Sequence, residues 1–280
     1  MPQQPTNHPR DLCLPQLAEV SLLHGETQVP VLHDEALASA CGVTLCFAGR
    51  RGGVSEGPYA SLNISTGTDD DSARVHQNRH VLLAAAGAEA FEGELVVPEQ
   101  VHGTHIAYVH SAEDAHAAHG AQADAVLCTV PGVPVLLSFA DCVPVVIVAP
   151  GGTFAVVHSG WRGTLAGIAG MALAAVAEEA GCDAGSCNAY IGPHIGPCCY
   201  AVSPELLERF CARFGATAAA GEGRLDLEAC VRASLQQAGC AAERIAASGI
   251  CTACGTEWYF SHRAEHGHTG RQGACAYRKA

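Results

Sequence analysis

Val133-Pro-Val-Leu-Leu-Ser-Phe139, Val143-Pro-Val-Val-Ile-Val-Ala149 and Phe154-Ala-Val-Val-His158 follow one another with only short, turn-rich breaks between them. Each run is brief, rich in β-branched residues and bounded by Pro, Gly or Asp. That is the pattern of buried strands rather than of a helix. Val126–Thr129, just upstream, has the same character, and Pro150-Gly-Gly152 reads as a tight connection. A hairpin centred on Gly151 places Gly160 opposite Cys142 and makes His158 the diagonal neighbour of Cys142 on the same face. Diagonal neighbours sit about 7–8 Å apart at the backbone, within reach of a shared ion. Two metal-capable side chains therefore converge for a local geometric reason.

Working outward, Val43–Ala48 reads as a strand and Ala73–Gly87 as a helix opened by Asp70 and Asp71. Leu95–Val97 and His105–Val109 are expected as strands flanking the patch Gln100-Val-His-Gly103. After Gly160-Trp-Arg-Gly163 an Ala- and Leu-rich helix runs to about Gly181, followed by a strand at Asn188–Gly192. Pro204–Phe214 and Asp226–Gln237 are amphipathic helices, and the chain closes with Ser261-His-Arg263 and Thr269-Gly-Arg271 in loop-like sequence. Alternating strands and helices give an α/β (α+β) fold, mixed β-sheets layered with α-helices, as a single domain over residues 41–280. Residues 1–40, with prolines at 2, 5, 9 and 15, read as a poorly specified extension.

A formal charge of −13 argues against nucleic acid or an anionic membrane surface as the main partner. The apolar stretch 133–149 is broken by Asp141 and prolines, short of the roughly 20 apolar residues a membrane span needs. The first thirty residues carry no basic segment followed by an apolar one, so a cytoplasmic location is expected. Fifteen cysteines then read mostly as small buried hydrophobes in a reduced cell. Cys251-Thr-Ala-Cys254 is a lone CxxC. A structural zinc wants a second pair, and Cys275 is the only later cysteine, so the motif reads as coincidence.

Three patches carry the chemistry. Gln100-Val-His-Gly103, Ala140-Asp-Cys142 and His158-Ser-Gly-Trp-Arg-Gly163 offer His102, Cys142 and His158. A two-histidine, one-cysteine set that leaves one tetrahedral position open suits a catalytic Zn²⁺, with copper as an alternative occupant. Asp141, beside Cys142, is a candidate proton carrier or a positioning residue. Arg162 with the helix N-terminus, Arg51 and Asn63 are candidates to hold phosphate or ribose hydroxyls. Trp161 is expected to pack in the core, and His105, His110, His116 and His119 to be solvated. Without a metal, Cys142 as nucleophile, His158 as base and Asp141 or His102 as orienter would instead form a Cys–His hydrolase.

With these patches in hand, the chain resembles the YfiH-type family of purine nucleoside phosphorylases, formerly called multicopper polyphenol oxidases or laccase-domain proteins. The resemblance runs from about Val43 to the carboxyl terminus. Besides the three patches it includes Arg51-Gly-Gly-Val-Ser55, Ser61-Leu-Asn63, Ala123-Asp-Ala125, Ile195-Gly-Pro-Cys-Cys-Tyr200, Phe260-Ser261, Arg263 and Thr269-Gly-Arg271. It implies His102, Cys142 and His158 as metal ligands and Arg263 at the substrate site. Phosphorolysis of adenosine, inosine and methylthioadenosine is implied, together with adenosine deamination. An amidase role on peptidoglycan precursors is an alternative. Ala264 departs from the second arginine often found after Arg263. A multicopper oxidase needs a large set of paired histidines, and the only His-x-His here is His266-Gly-His268, so the oxidase reading is weak on chemistry.

Overall fold

The computed structural model describes residues 11–280. An N-terminal hairpin, β1 (Ala18–His24) and β2 (Thr27–His33), leads into a short helix α1 (Glu35–Cys41) and then β3 (Val43–Ala48). Asp34 caps α1 through Ala36 N–H, and Gly42 ends it in the left-handed conformation that glycine adopts freely. α2 (Ser72–Ala85) follows a long loop and is capped by Asp71. Then come β4 (Ile106–Val109), α3 (Ala112–Ala118), β5 (Ala125–Cys128), β6 (Val135–Phe139), β7 (Val143–Val148) and β8 (Phe154–Ser159). α4 (Trp161–Ala166), α5 (Ile168–Ala180), β9 (Asn188–Ile191), α6 (Pro204–Phe214), α7 (Leu227–Gln237), β10 (Ile245–Ala247) and β11 (Gln272–Arg278) complete the chain.

The strands form two sheets. One has the order β1-β2-β3-β11-β6, and its pairs are all antiparallel. The other has the order β10-β9-β7-β8-β5-β4 and is mixed, with β4 parallel to β5 and β10 parallel to β9. Side-chain alternation assigns each strand face to a layer. In β7, Val146 and Val148 point into the space between the sheets and meet Leu45, Phe47, Leu137 and Phe139. Val145 and Ile147 point the other way, against Leu173 and Val176 of α5 and Val231 and Leu235 of α7. The outer face of the first sheet, with Cys46 and Leu136, is covered by Leu82 and Leu83 of α2. The result is four layers, helix–sheet–sheet–helices, with β7 and β8 buried on both faces. Each fully buried Val, Ile or Leu contributes about 1.5–3 kcal/mol, which is why this stretch reads so clearly in the sequence.

The hairpin register agrees with the expectation: Val143 pairs with Ser159 and Pro144 with His158. One residue further out, Gly160 lies opposite Cys142. The chain passes from the first sheet to the second in only three residues, Ala140–Cys142, between β6 and β7.

Three differences stand out. Residues 18–40, expected as part of an unpatterned extension, form an edge hairpin and all but the last residue of a helix; Val29, Val31 and Leu37 are buried there. Residues 1–10 lie outside the described residues. β11, in a region without strand signal, is an interior strand of its sheet between β3 and β6, and its small residues fit under close neighbours. A Cβ at Gly273 would come within 2.9 Å of Leu136. Finally, the helix expected after Gly163 is broken at Gly167, whose φ of 89° lets its N–H cap the carbonyls of Gly163 and Thr164. α4 is thus a short helix, and the anion-attracting dipole expected of a long one is curtailed. No helix of the described residues is long and apolar enough to cross a membrane.

Candidate metal centre and cleft

His102, Cys142 and His158 come together from three segments, their candidate donor atoms all within 4.8 Å of one another. Cys142 Sγ lies 3.8 Å from His102 Nε2, and the two imidazoles meet edge to face with centroids 4.8 Å apart. His158 is on β8 with only 3% of its surface exposed, and Cys142 sits at the sheet-to-sheet passage. His102 is in a loop, in the left-handed conformation with φ 60°. Asp141 likewise has φ 84°. Side chains other than glycine rarely adopt this region, and such strain clusters where a site must be aimed.

Asp124, fully buried just before β5, organises the trio. Its Oδ1 accepts from His102 N–H at 2.9 Å and lies 2.8 Å from His158 Nδ1. Its Oδ2 accepts from Gly103 N–H at 2.6 Å and Val101 N–H at 3.3 Å. A carboxylate on Nδ1 makes that nitrogen the donor and leaves Nε2 free as a ligand, the arrangement common to metal-binding histidines. Burial alone would raise the Asp124 carboxyl, but the bonds from His158, Gly103 and His102 outweigh it and hold the group below its ordinary range. Gln100 secures the other side of the loop, donating to Ser138 O at 2.8 Å and accepting from Ser138 N–H at 2.9 Å. Gly160 leaves room for the ring: a Cβ there would lie 2.7 Å from His102 Cδ2 and 3.3 Å from Cys142 Sγ.

Burial works against ionising Cys142, but the charge of His158 and the hydrogen bond from His102 prevail and bring the thiol down to about 6. For His158 burial again opposes charge, and the thiolate and Asp124 raise it to about 9. Two nitrogens and one thiolate with converging lone pairs, a carboxylate-fixed tautomer and one side facing the cleft suit a tetrahedral metal with an open position.

The trio lies at the floor of a cleft of about 830 Å³, lined also by Ser65, Arg79, Gln100, Trp161, Tyr200, His262, Arg263 and Arg271. Among the described residues the arginine ion pairs are those of Arg50, Arg51, Arg74 and Arg232. The cleft arginines Arg79, Arg263 and Arg271 are instead held by carbonyls: Ile64 O for Arg79, Ala201 O for Arg263, and Thr269 and Gly270 O for Arg271. Three guanidiniums without a carboxylate in ion-pair contact give this wall the chemistry that an anion would need.

The other candidates divide. Arg263 lines the cleft and stacks over Tyr200. Arg51 is outside it, paired to Glu257 at 2.8 Å and stacked over Trp258. Arg162 is exposed and stacked on Trp161, also outside, while half-buried Trp161 both packs on the core and edges the cleft. Asn63 is fully buried and does not line the cleft. Its amide donates to Asp70 and Thr68 and accepts from Ser65 and Arg271 N–H, so it shapes the wall. Both Asp141 oxygens are engaged, by Thr252 Oγ1 at 2.7 Å and Arg263 N–H at 2.6 Å. His119, expected as a solvated surface residue, edges the cleft with Nδ1 2.7 Å from Leu95 O.

Sequence reasoning did not single out Asp124, Arg79 or Arg271 as site residues. The available signal was a charged residue within an otherwise apolar stretch, Ala123-Asp-Ala-Val126, and in α2 an arginine on its buried side.

Comparison with known proteins shows the family and the fold. The family model described as multi-copper polyphenol oxidoreductase laccase matches residues 44–279. The purine nucleoside phosphorylase YlmD of Geobacillus stearothermophilus is 35% identical over 236 residues, covering 79% of this chain and 85% of that protein. The adenosine deaminase RL5, from an unknown prokaryotic organism, is 31% identical over 249 residues, covering 83% and 93%. The crystal structure of Geobacillus stearothermophilus YlmD superposes with a TM-score of 0.81 at 30% identity, covering 94% of this chain and all of that one. The chain belongs to this laccase-like family.

Proposed function

We propose that this member of the family is a metal-dependent purine nucleoside enzyme. It cleaves adenosine, inosine or methylthioadenosine with phosphate to free base and sugar 1-phosphate, and it also deaminates adenosine. The observation that carries the reading is the adjacency of an open His₂Cys site and a wall of unpaired arginines in one cleft large enough for a nucleoside with phosphate. The names of the relatives support the substrate class. Zinc is the metal that the ligand set fits; when bound, it supplies Lewis acidity at the cleft floor. The catalytic unit is taken as residues 41–280 together with the hairpin and helix of 18–40 that complete its first sheet.

In phosphorolysis a phosphate oxygen bonds to the anomeric carbon as the glycosidic C–N bond breaks, and the base leaves with that electron pair and takes up a proton. Arg79, Arg263 and Arg271 hold the phosphate and offset its charge. Tyr200 and Trp161 supply flat surfaces for the base or sugar, and Asp141 positions Cys142 and Arg263. In deamination water adds at the purine C6 and ammonia departs.

A metal-free Cys–His hydrolase is a second reading, favoured by one observation. Cys142, His158 and Asp124 form a thiol–imidazole–carboxylate series, with Asp124 as orienter in place of Asp141 or His102. Copper in the His₂Cys site is a further alternative for the metal. A multicopper centre finds no set of paired histidines among the described residues.

The test is chromatographic product analysis of adenosine incubated with metal-assayed protein, with and without phosphate, beside Cys142→Ala. Adenine formed only with phosphate, and inosine formed without it, both lost in the variant, are expected. Neither product from metal-replete protein would overturn the nucleoside reading. Full activity after the metal is stripped would favour the hydrolase.

A further inference from the structure

Cys251-Thr-Ala-Cys254 does have a second pair, upstream rather than downstream. The loop after β9 carries Cys198-Cys199, and the four candidate Sγ donors lie within 4.8 Å of one another. Cys254 Sγ is 3.5 Å from Cys198 Sγ and 3.4 Å from Cys199 Sγ. A disulfide needs about 2.05 Å, and all four thiols are free. Four thiolates on a zinc ion at about 2.3 Å sit about 3.8 Å apart in a tetrahedron, close to the spacing seen. This cluster is separate from the catalytic trio, sharing no residue with it.

We propose that Cys198, Cys199, Cys251 and Cys254 form a second metal site, a tetrathiolate centre for one zinc-like divalent cation. An all-sulfur set of four closes the coordination shell, so this site is structural where the His₂Cys site is open.

The surroundings are built for it. Two turns each present two sulfurs, and backbone bonds zip the turns together: His194 N–H to Ile250 O at 3.2 Å and Thr252 N–H to His194 O at 2.9 Å. Gly196 N–H donates to Cys251 Sγ at 3.1 Å, the kind of bond that orients and stabilises a metal-binding thiolate. A Cβ at Gly196 would press on Cys251 Cβ at 3.1 Å and Cys198 Sγ at 3.3 Å, so glycine keeps the cradle open. Arg224 donates to the carbonyls of Pro197 and Cys198, placing a cation beside a centre with excess negative charge.

The clamp reaches the catalytic cleft through short links. Thr252, between the two cysteines of the CxxC, holds Asp141, and Ile195 N–H donates to Asp141 O at 3.0 Å. Tyr200, next to Cys199, lines the cleft. The second metal therefore fixes one wall of the cleft without touching substrate.

The experiment is metal analysis of full-length protein purified under reducing conditions without chelator, as wild type, Cys142→Ala, and Cys142→Ala combined with Cys198→Ser and Cys254→Ser. Expected are two metal ions per chain, one, and none. X-ray absorption of the Cys142→Ala protein is expected to show four sulfurs at about 2.3 Å and no nitrogen. Circular dichroism identifies a variant that has lost its fold. For that case, cobalt added to metal-stripped Cys142→Ala protein gives a second readout, an intense thiolate-to-metal absorption. Cys142→Ala protein that binds no metal, nitrogen or oxygen in its metal shell, or a disulfide among these cysteines mapped by alkylation would each overturn the proposal. All three results are independent of whether the cleft acts on nucleosides.

Discussion

Replacing Asp124 with Asn removes one charge and almost no volume, and it isolates what the buried carboxylate does. The carboxylate meets four donors: Oδ1 faces His102 N–H and His158 Nδ1, and Oδ2 faces Val101 and Gly103 N–H. An amide offers one oxygen. Whichever way it flips, its NH₂ confronts two donors and leaves them unpaired. At about 1–3 kcal/mol for each orphaned buried donor, Asp124→Asn costs about 2–6 kcal/mol of folding stability. The flip that keeps His158 bonded frees the Val101 and Gly103 amides, loosening the loop that aims His102. The opposite flip releases His158. Either way metal affinity falls about 10- to 100-fold, the usual effect of losing a partner behind a ligand. The assay is competition with a chromophoric chelator at a temperature where circular dichroism shows the variant folded, paired with urea denaturation of the metal-free protein. An Asn variant with metal affinity within twofold of wild type and an unchanged denaturation midpoint would refute the role given to Asp124.

Gly160→Ala places a methyl 2.7 Å from His102 Cδ2 at a backbone φ of −68° that alanine adopts without strain; metal affinity should drop about tenfold with little change in the unfolding of metal-free protein, read by the same competition. Arg271→Met should raise the phosphate KM at least tenfold while metal content stays constant, whereas Arg51→Ala, outside the cleft, should leave that KM within twofold. Burial opposes ionisation of Glu265, yet Ser261 N–H, the Thr269 hydroxyl and Arg50 hold its carboxyl below the ordinary 4.5. A depressed folded-state pKa stabilises fully above the unfolded value and is lost as pH falls through the folded one. Thermal melts should therefore show Glu265→Gln less stable than wild type at pH 6, with the gap closing below pH 4.5.

The legible parts of the chain were those in which local chemistry and final environment agree. Val143–Val148 and Phe154–Ser159 are buried on both faces, so their runs of β-branched residues announce strands, and the glycines of their turn fix the register that joins Cys142 to His158. His102 needed its patch and the resemblance, because it is brought in by a bond network centred on Asp124, 22 residues away. β11 was silent because its place between two strands and two packed layers selects Gly, Ala and Cys, residues with little strand signal of their own. Arg51 and Arg162 look like phosphate ligands by type, but each has an aromatic ring to lie on, Trp258 and Trp161, which draws it out of the cleft. Arg79 and Arg271 do face the cleft, yet the only cues were an arginine on the buried side of α2 and the motif Thr269-Gly-Arg271, neither of which says which way the guanidinium points.

The three-residue passage Ala140–Cys142 is the shortest route the chain takes between its two sheets. His158 on β8, Asp124 just before β5 and Cys142 just before β7 all sit at one end of the second sheet, while the loop of His102 is tied to β6 of the first sheet through Gln100 and Ser138. A cation shared by these ligands therefore fastens that loop, and with it β6, to the second sheet: drawing the loop away must pull the His102 imidazole from the metal. Loading the site should then slow amide hydrogen exchange in the 99–103 loop and in β6 as well as in the strands that carry the other ligands.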